Sequence, residues 1–294
     1  MGKGERPEHT APPEIFYNED EARKYTTNSR MISIQASLTA RALELLALPP
    51  GGPPRLLLDI GCGSGLSGEA LTEAGHAWVG LDISPAMLDV AVDREVEGDV
   101  LLSDMGQGVP LRAGAFDGAI SISAVQWLCN ADRSSHDPRR RLRRFFQTLY
   151  ACLARGARAV LQVYPENAAQ AEMMVGAAMK VGFSGGLVVD YPHSTRAKKY
   201  FLVLMVGTGG AAPAGREGDP DADEEGGGPG AGPSTVAVAG RERRGKRRGG
   251  PGGGGGGGGK DRAWVLKKKE KQRRKGNEVK PDSKYTARKR RRLI

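Results

Sequence analysis

Seven short apolar runs punctuate the first two hundred residues. They are LLLDI (56–60), WVGLDI (78–83), DVLLSD (99–104), FDGAISIS (116–123), ARAVLQVY (157–164), GGLVVDY (185–191) and YFLVLMV (200–206). Each has the length and β-branched content of a strand, and helical stretches fit between them. The clearest helix is 138–154. Leu142, Phe145, Phe146, Leu149, Tyr150 and Leu153 recur there at spacings of three and four and form one apolar stripe. The Arg139–Arg144 cluster lies largely off that stripe, so it reads first as a solvated face and second as a nucleic-acid contact. An earlier helix is predicted from about Pro13 to Leu48. It has to stop at Pro49-Pro50-Gly51-Gly52-Pro53-Pro54. Strands alternating with helices predict an α/β domain with a mainly parallel, seven-stranded sheet. The last two strands are too close for a helical crossover, which leaves room for an antiparallel pair.

The pattern bounds the domains. Residues 1–13 are polar and proline-bearing and are expected to be disordered, and 14–206 form the α/β domain. Residues 207–259 are rich in Gly, Ala and Pro and read as a flexible linker. Residues 260–294 are basic, with Trp264, Val265, Leu266, Val279 and Tyr285 interspersed, and read as a binding tail. Charge sharpens this division. The chain of 294 residues carries a formal net charge of +10, yet residues 241–294 hold 22 basic and 5 acidic residues while the remainder is net acidic. A basic tail on an acidic body suits an anionic polymer. No apolar run reaches the roughly 18 residues of a membrane span. The N-terminus lacks the apolar core of a secretory signal. Cys62, Cys129 and Cys152 are odd in number and far apart, which argues against a disulfide framework or a zinc site and for a reducing interior.

The strongest local signal is LLLDIGCGSGLSG (56–68), a buried strand that ends in Asp59 and runs through Gly61, Cys62, Gly63 and Gly65 into a helix. Glycines admit a ligand close to the backbone, and a helix N-terminus supplies N–H donors. The string Gly63-Ser64-Gly65-Leu66-Ser67-Gly68 matches the dinucleotide pattern GxGxxG, but the first glycine after the strand is Gly61, so the phase is GxGxG. Asp59 would sit poorly beside a pyrophosphate, whereas it suits the ammonium of S-adenosylmethionine. Asp82, followed by Ile83 at the end of the second strand, can accept ribose hydroxyls. Asp104 can accept from the adenine amino group, with Met105 packed on the ring.

The acceptor side is defined mainly by what it lacks. The segment after the fourth strand, SISAVQWLCN, has no Asn/Asp-Pro-Pro-Tyr/Phe motif for amino methylation, and Cys129 and Cys152 read as structural rather than nucleophilic. An acceptor that is already nucleophilic, such as guanine N7, needs alignment and no general base. No catalytic base is therefore assigned. Trp127 and Tyr164, at the ligand-binding ends of the fourth and fifth strands, are candidates to stack on a base.

These residues carry a family resemblance. The segments RPEHTAPPEIFYNEDEARKYTTNSRMISIQ (6–35), LLLDIGCGSGLSG, SISAVQWLCN, VYPEN (163–167) and RAWVLKKKEKQRRKG (262–276) resemble the eukaryotic small-subunit (18S) ribosomal RNA guanine-N7 methyltransferases. The resemblance implies the class I, Rossmann-like methyltransferase fold with its last strand antiparallel, and S-adenosyl-L-methionine as cofactor. It implies cofactor contacts at Asp59, Gly61, Gly63, Asp82, Ile83, Asp104 and Met105, with Tyr25 and Arg30 closing over the methionine end. Gln126, Trp127, Tyr164, Pro165 and Asn167 become the acceptor-pocket candidates. It also implies small-subunit pre-rRNA in the pre-40S particle as substrate, work in nucleus and nucleolus, and a heterodimer with a small zinc-binding activator subunit along an edge strand near DVLLSD. Residues 207–259 show little family-like sequence. The rival readings are an assembly factor whose pocket is secondary to a structural role, a small-molecule methyltransferase and an NAD-dependent oxidoreductase.

Overall fold

The computed structural model describes residues 6–194, 197–207 and 213–217. Seven strands form one sheet: β1 (Leu56–Ile60), β2 (Ala77–Asp82), β3 (Asp99–Leu102), β4 (Phe116–Ile122), β5 (Leu153–Val163), β6 (Phe183–Asp190) and β7 (Lys199–Val206). The spatial order is β3-β2-β1-β4-β5-β7-β6. Strands β1 to β5 are parallel, and β7 runs antiparallel to both β5 and β6. The sheet thus has the predicted strand count and direction. The order reverses at β1/β4, the switch point where open α/β sheets open a crevice for ligands.

Central strands are buried on both faces, so neighbouring residues part company. Leu57, Val160 and Val203 pack with Leu38, Ala42, Leu45 and Leu46 of α4 (Ser29–Leu46). Leu58, Leu161 and Leu202 pack with Phe145, Phe146 and Leu149 of α7 (Pro138–Cys152) and Met174 of α8 (Ala168–Val181). This two-sided burial explains why these strands read as continuous apolar runs. In α7 the predicted stripe holds through Leu149, but Leu153 already belongs to β5, opposite Phe116. A shift in the β4–β5 register between Phe116 and Gly118 absorbs the early start.

The single helix expected over 13–48 is instead broken. A one-turn helix α1 (Pro7–Thr10) and α2 (Pro13–Phe16) precede α3 (Glu19–Thr27) and α4. Two side chains make the breaks. Asn18 accepts from Glu21 N, and Asn28 accepts from Arg30 N and Met31 N, so each starts a new helix as its N-cap. The stretch expected to be disordered is placed from Arg6 onward. α5 (Leu66–Glu73) follows β1, and α6 (Pro85–Asp93) follows β2 and is capped by Ser84. Residues 213–217, at the head of the expected linker, lie along the end of β6. Tyr191 N donates to Arg216 O at 2.7 Å, and Arg216 N donates to Asp190 Oδ1 at 2.7 Å. The basic tail 260–294 and most of 207–259 lie outside the described residues. Among the described residues no helix is long and apolar enough to cross a membrane.

Candidate cofactor and acceptor site

A cavity of about 920 Å³, counted with its open mouth, lies at the C-terminal ends of β1, β2 and β4. Of the predicted residues, Gly61, Cys62, Gly63, Asp82, Ile83, Asp104, Met105, Tyr25 and Trp127 line it. Asp59 lies directly behind, fully buried at the end of β1.

Three carboxylates stand at three strand ends: Asp59 in the last two residues of β1, Asp82 closing β2 and Asp104 just past β3. Asp59 Oδ2 accepts from Ser67 Oγ at 2.6 Å, while its Oδ1 is buried with no hydrogen-bond partner. Burial, and secondarily the nearby charge of Asp82, push the Asp59 carboxyl up to about 7 against the Ser67 hydrogen bond. Asp82 accepts from Gly63 N through Oδ2 and from Ser84 N through Oδ1, both at 2.8 Å, which fixes its carboxylate at the cavity wall. Burial raises Asp82 too, opposed by the backbone donors of Ser84, Gly63 and Ile83. Asp104 caps the 3-10 turn Met105–Gln107, accepting from Gly106 N at 2.8 Å.

The glycines divide between ligand space and packing. Gly61 has φ +71°, and a Cβ there would stand 2.3 Å from the Ala124 Cβ. That close approach lets the β1 loop and the β4 loop share the pocket floor. Gly65 is set apart from the pocket lining. A Cβ on it would meet Val96 at 2.6 Å, so its role is packing beneath α5. Gly68, which completes the dinucleotide-like string, leaves room for the Trp78 ring.

The N-terminal helices cover the crevice. Arg6 Nη1 donates to Tyr164 O at 2.9 Å, Gln126 Nε2 to Glu8 Oε1 at 3.2 Å, and Ser84 Oγ to Tyr17 O at 2.7 Å. Tyr17 stands edge-on to Tyr25 and at 6.0 Å from Trp127, making an aromatic wall. Burial raises both phenols, that of Tyr25 to about 12, so neither serves as a base near neutral pH. Burial also lifts Cys129 to about 12 and Cys152 to about 11, which keeps both as thiols.

The remaining candidates are placed otherwise. Arg30 is exposed at the start of α4 and outside the cavity lining. Gln126 is buried beneath α1, with Oε1 unpartnered. Tyr164 is half-buried, receives a hydrogen bond from Lys199 Nζ at 3.1 Å, and like Pro165 anchors Arg6 through its carbonyl. Asn167 is exposed and caps α8 by accepting from Gln170 N. Sequence reasoning missed Tyr17, Asp132 and Arg141, all of which line the cavity.

The donor set fits S-adenosylmethionine. The orphaned Asp59 Oδ1 and Ser64 Oγ await partners at the loop end, Asp82 presents a fixed carboxylate for hydroxyls, and Asp104 with Met105 offers an acceptor beside an apolar surface.

Comparison with known proteins adds to this geometry. Residues 58–161 match the family model described as "Methyltransferase domain". Residues 204–292 match "Methyltransferase involved in Williams-Beuren syndrome". The second match runs through 207–259, which corrects the reading of that stretch as unlike the family. The chain is 60% identical over 97% of its length, and 98% of the relative, to "18S rRNA (guanine-N(7))-methyltransferase RID2" of Arabidopsis thaliana. It is 55% identical over 98% of its length to the mouse (Mus musculus) "18S rRNA (guanine-N(7))-methyltransferase", covering 98% of that protein. It is 51% identical over 97% to the Saccharomyces cerevisiae "18S rRNA (guanine(1575)-N(7))-methyltransferase", again covering 98% of the relative.

Proposed function

The chain belongs to the 18S rRNA (guanine-N7)-methyltransferases, and from that premise we propose that it methylates N7 of a guanine in small-subunit rRNA during pre-40S assembly. The observation that carries this is a pocket lined by Asp82 and Asp104, with Asp59 buried at the end of β1, in a chain alike to one of these enzymes over 97% of its length. S-adenosylmethionine supplies an electrophilic methyl group on a sulfonium. Asp59 and the Gly61–Gly63 loop would hold its amino acid end, Asp82 its ribose, and Asp104 and Met105 its adenine. The aromatic wall of Tyr17, Tyr25 and Trp127 excludes water and presents flat surfaces to a base. Guanine N7 loses no proton on methylation, so raised phenols and thiols around the pocket suit the reaction: the chain has only to align the acceptor. Restoring the chain to cells that lack their own enzyme should restore 7-methylguanosine in 18S rRNA. Its continued absence, with the protein present in pre-40S particles, would favour the assembly-factor reading.

Asp59 gives a pH dependence. Its carboxyl titrates near 7, and the ionised form is the one that pairs with an ammonium. Cofactor affinity should therefore rise between pH 6 and 7.5, by up to about tenfold per unit below the pKa. Asp59→Asn should bind more weakly and with a flat profile, read by calorimetry. In the cofactor-free protein the sign is opposite. The folded state holds this proton more tightly than the unfolded chain. The group's contribution to stability is therefore full below pH about 4 and is lost as pH rises through about 7.

The heterodimer belongs to the same reading. β3 is a sheet edge; its Leu102 is 62% exposed and its Leu101 is exposed too, and Val92 of α6 is 63% exposed. An uncovered apolar edge invites aggregation. We place the activator subunit along this edge and the work of the complex in nucleus and nucleolus. Bacterial co-expression with the activator should raise soluble yield several-fold. Leu102→Lys should abolish co-purification while improving solubility of the chain alone. Equal, monodisperse yield without the partner would contradict this placement.

A further inference from the structure

Arg141 is the one guanidinium of the α7 cluster that turns into the cavity. Arg139, Arg140, Arg143 and Arg144 are exposed, but the Arg141 side chain is only 11% exposed. Its Nη2 donates to both oxygens of Asp104, at 2.7 and 2.9 Å. At the other end, Nη1 lies 3.3 Å from His136 Nδ1 and 3.8 Å from Oδ2 of Asp132, whose side chain is also buried. The guanidinium lies against Gly106, where a Cβ would stand 2.3 Å from Nε and 2.6 Å from Cζ. The glycine after Asp104-Met105 therefore leaves the space in which the arginine sits. A guanidinium held at both ends and backed by a glycine is a fixed part of the site.

The hydrogen-bond count on Asp104 gives this arrangement a consequence. Oδ1 accepts from Gly106 N and from Arg141 Nη2, which uses both of its lone pairs. Oδ2 accepts from Arg141 alone and keeps one. The pair thus presents a single acceptor position to the cavity, in a side chain only 15% exposed. We propose that Arg141 is a positioning residue for cofactor recognition: it holds Asp104 so that one carboxylate lone pair reads the exocyclic amino group of adenine, and thereby sets the preference for an amino purine over a keto purine. This rests on the assignment of Asp104 to the adenine end. A site built to accept from an amino group rejects an analogue that offers a carbonyl oxygen there, because acceptor then faces acceptor. Without Arg141 the Asp104 side chain can turn and the discrimination weakens.

The test is equilibrium binding, by calorimetry, of S-adenosyl-L-homocysteine and S-inosyl-L-homocysteine to the activator complex. The wild type should prefer the adenosyl compound by about 100-fold or more. Arg141→Met should bring that ratio below about tenfold, chiefly by weakening the adenosyl compound. Arg141→Lys keeps a charge but not the fork, and should retain the fold with an intermediate ratio. It also decides the matter if the Met variant does not fold. A purely structural role would lower the melting temperature and weaken both ligands alike. A wild-type ratio in both variants, or in Arg141→Lys alone if the Met variant is unfolded, would overturn the proposal. Asp104→Asn separates the premise from the inference. If it keeps the wild-type ratio, the Asp104 assignment fails. If it loses the ratio while the Arg141 variants keep it, only the role of Arg141 fails.

Discussion

Replacing Asp82 by Ala is expected to weaken S-adenosylmethionine binding about 100-fold, with the fold intact. The carboxylate is fixed by Gly63 N and Ser84 N, each at 2.8 Å, so it is oriented before any ligand arrives. The two hydrogen bonds proposed from ribose hydroxyls to this fixed carboxylate would contribute about 3 kcal/mol together, which is the expected factor. Stability should change little because two effects oppose. Removing the side chain orphans two backbone donors, but it also removes a half-buried charge whose desolvation raises the Asp82 pKa. Calorimetry for affinity and thermal unfolding for stability read the two effects separately. Unchanged affinity would remove Asp82 from the site.

Gly61→Ala is expected to damage both binding and folding. At φ +71° any side chain is strained, and this one would place its Cβ 2.3 Å from that of Ala124. Neither is the end of a flexible chain, so backbone has to move. Left-handed strain and overpacking together cost about 2–4 kcal/mol. For a domain of this size the melting temperature should fall on the order of 5–10 °C. Ala124 leads directly into the 3-10 turn Val125–Cys129, which carries Gln126 and Trp127. The displacement therefore reaches Trp127 of the aromatic wall as well as the Gly61–Gly63 loop, and affinity should fall more than in Asp82→Ala. The matched Gly75→Ala has positive φ but open space around its Cβ, and it should cost only the backbone term. Equal behaviour of the two variants would show that the contact with Ala124 is unimportant.

Much of this site can be read from the sequence because its chemistry sits at strand ends. Asp59, Asp82 and Asp104 each follow a short apolar run, and alternation in an α/β sheet carries such positions to one rim. The glycine phase after Asp59 separates the loop from a dinucleotide fingerprint, and Gly68 against Trp78 gives that distinction a packing reason. The helix predicted over 138–154 is legible from its stripe, but its end is not: the helix stops at Cys152 and Leu153 starts β5.

What could not be read depends on side-chain orientation and on local competition for hydrogen bonds. Arg141 sits at the margin of the α7 stripe, four residues before Phe145. Composition cannot separate it from its exposed neighbours; only its place on the helix hints that it turns inward. Asn18 and Asn28 stop one helix and start the next by side-chain caps, a signal weaker in sequence than the proline run that ends α4. Tyr17 reaches the pocket because the α2–α3 turn folds over the sheet, a long-range event without local periodicity. Asn167, a candidate for the acceptor pocket, is used instead as the cap of α8. Its type and its place before a helix allow both roles, and only the fold decides between them.

The measurement that bears most directly on the account is methyl transfer in vitro. The chain, co-expressed with the activator subunit proposed above, is incubated with labelled S-adenosylmethionine and pre-40S particles from cells without the endogenous enzyme. The rRNA is then digested to nucleosides. Label in 7-methylguanosine from 18S rRNA, abolished in Asp82→Ala, is the predicted result. Label in another nucleoside, or none from a complex that binds the cofactor, would contradict it.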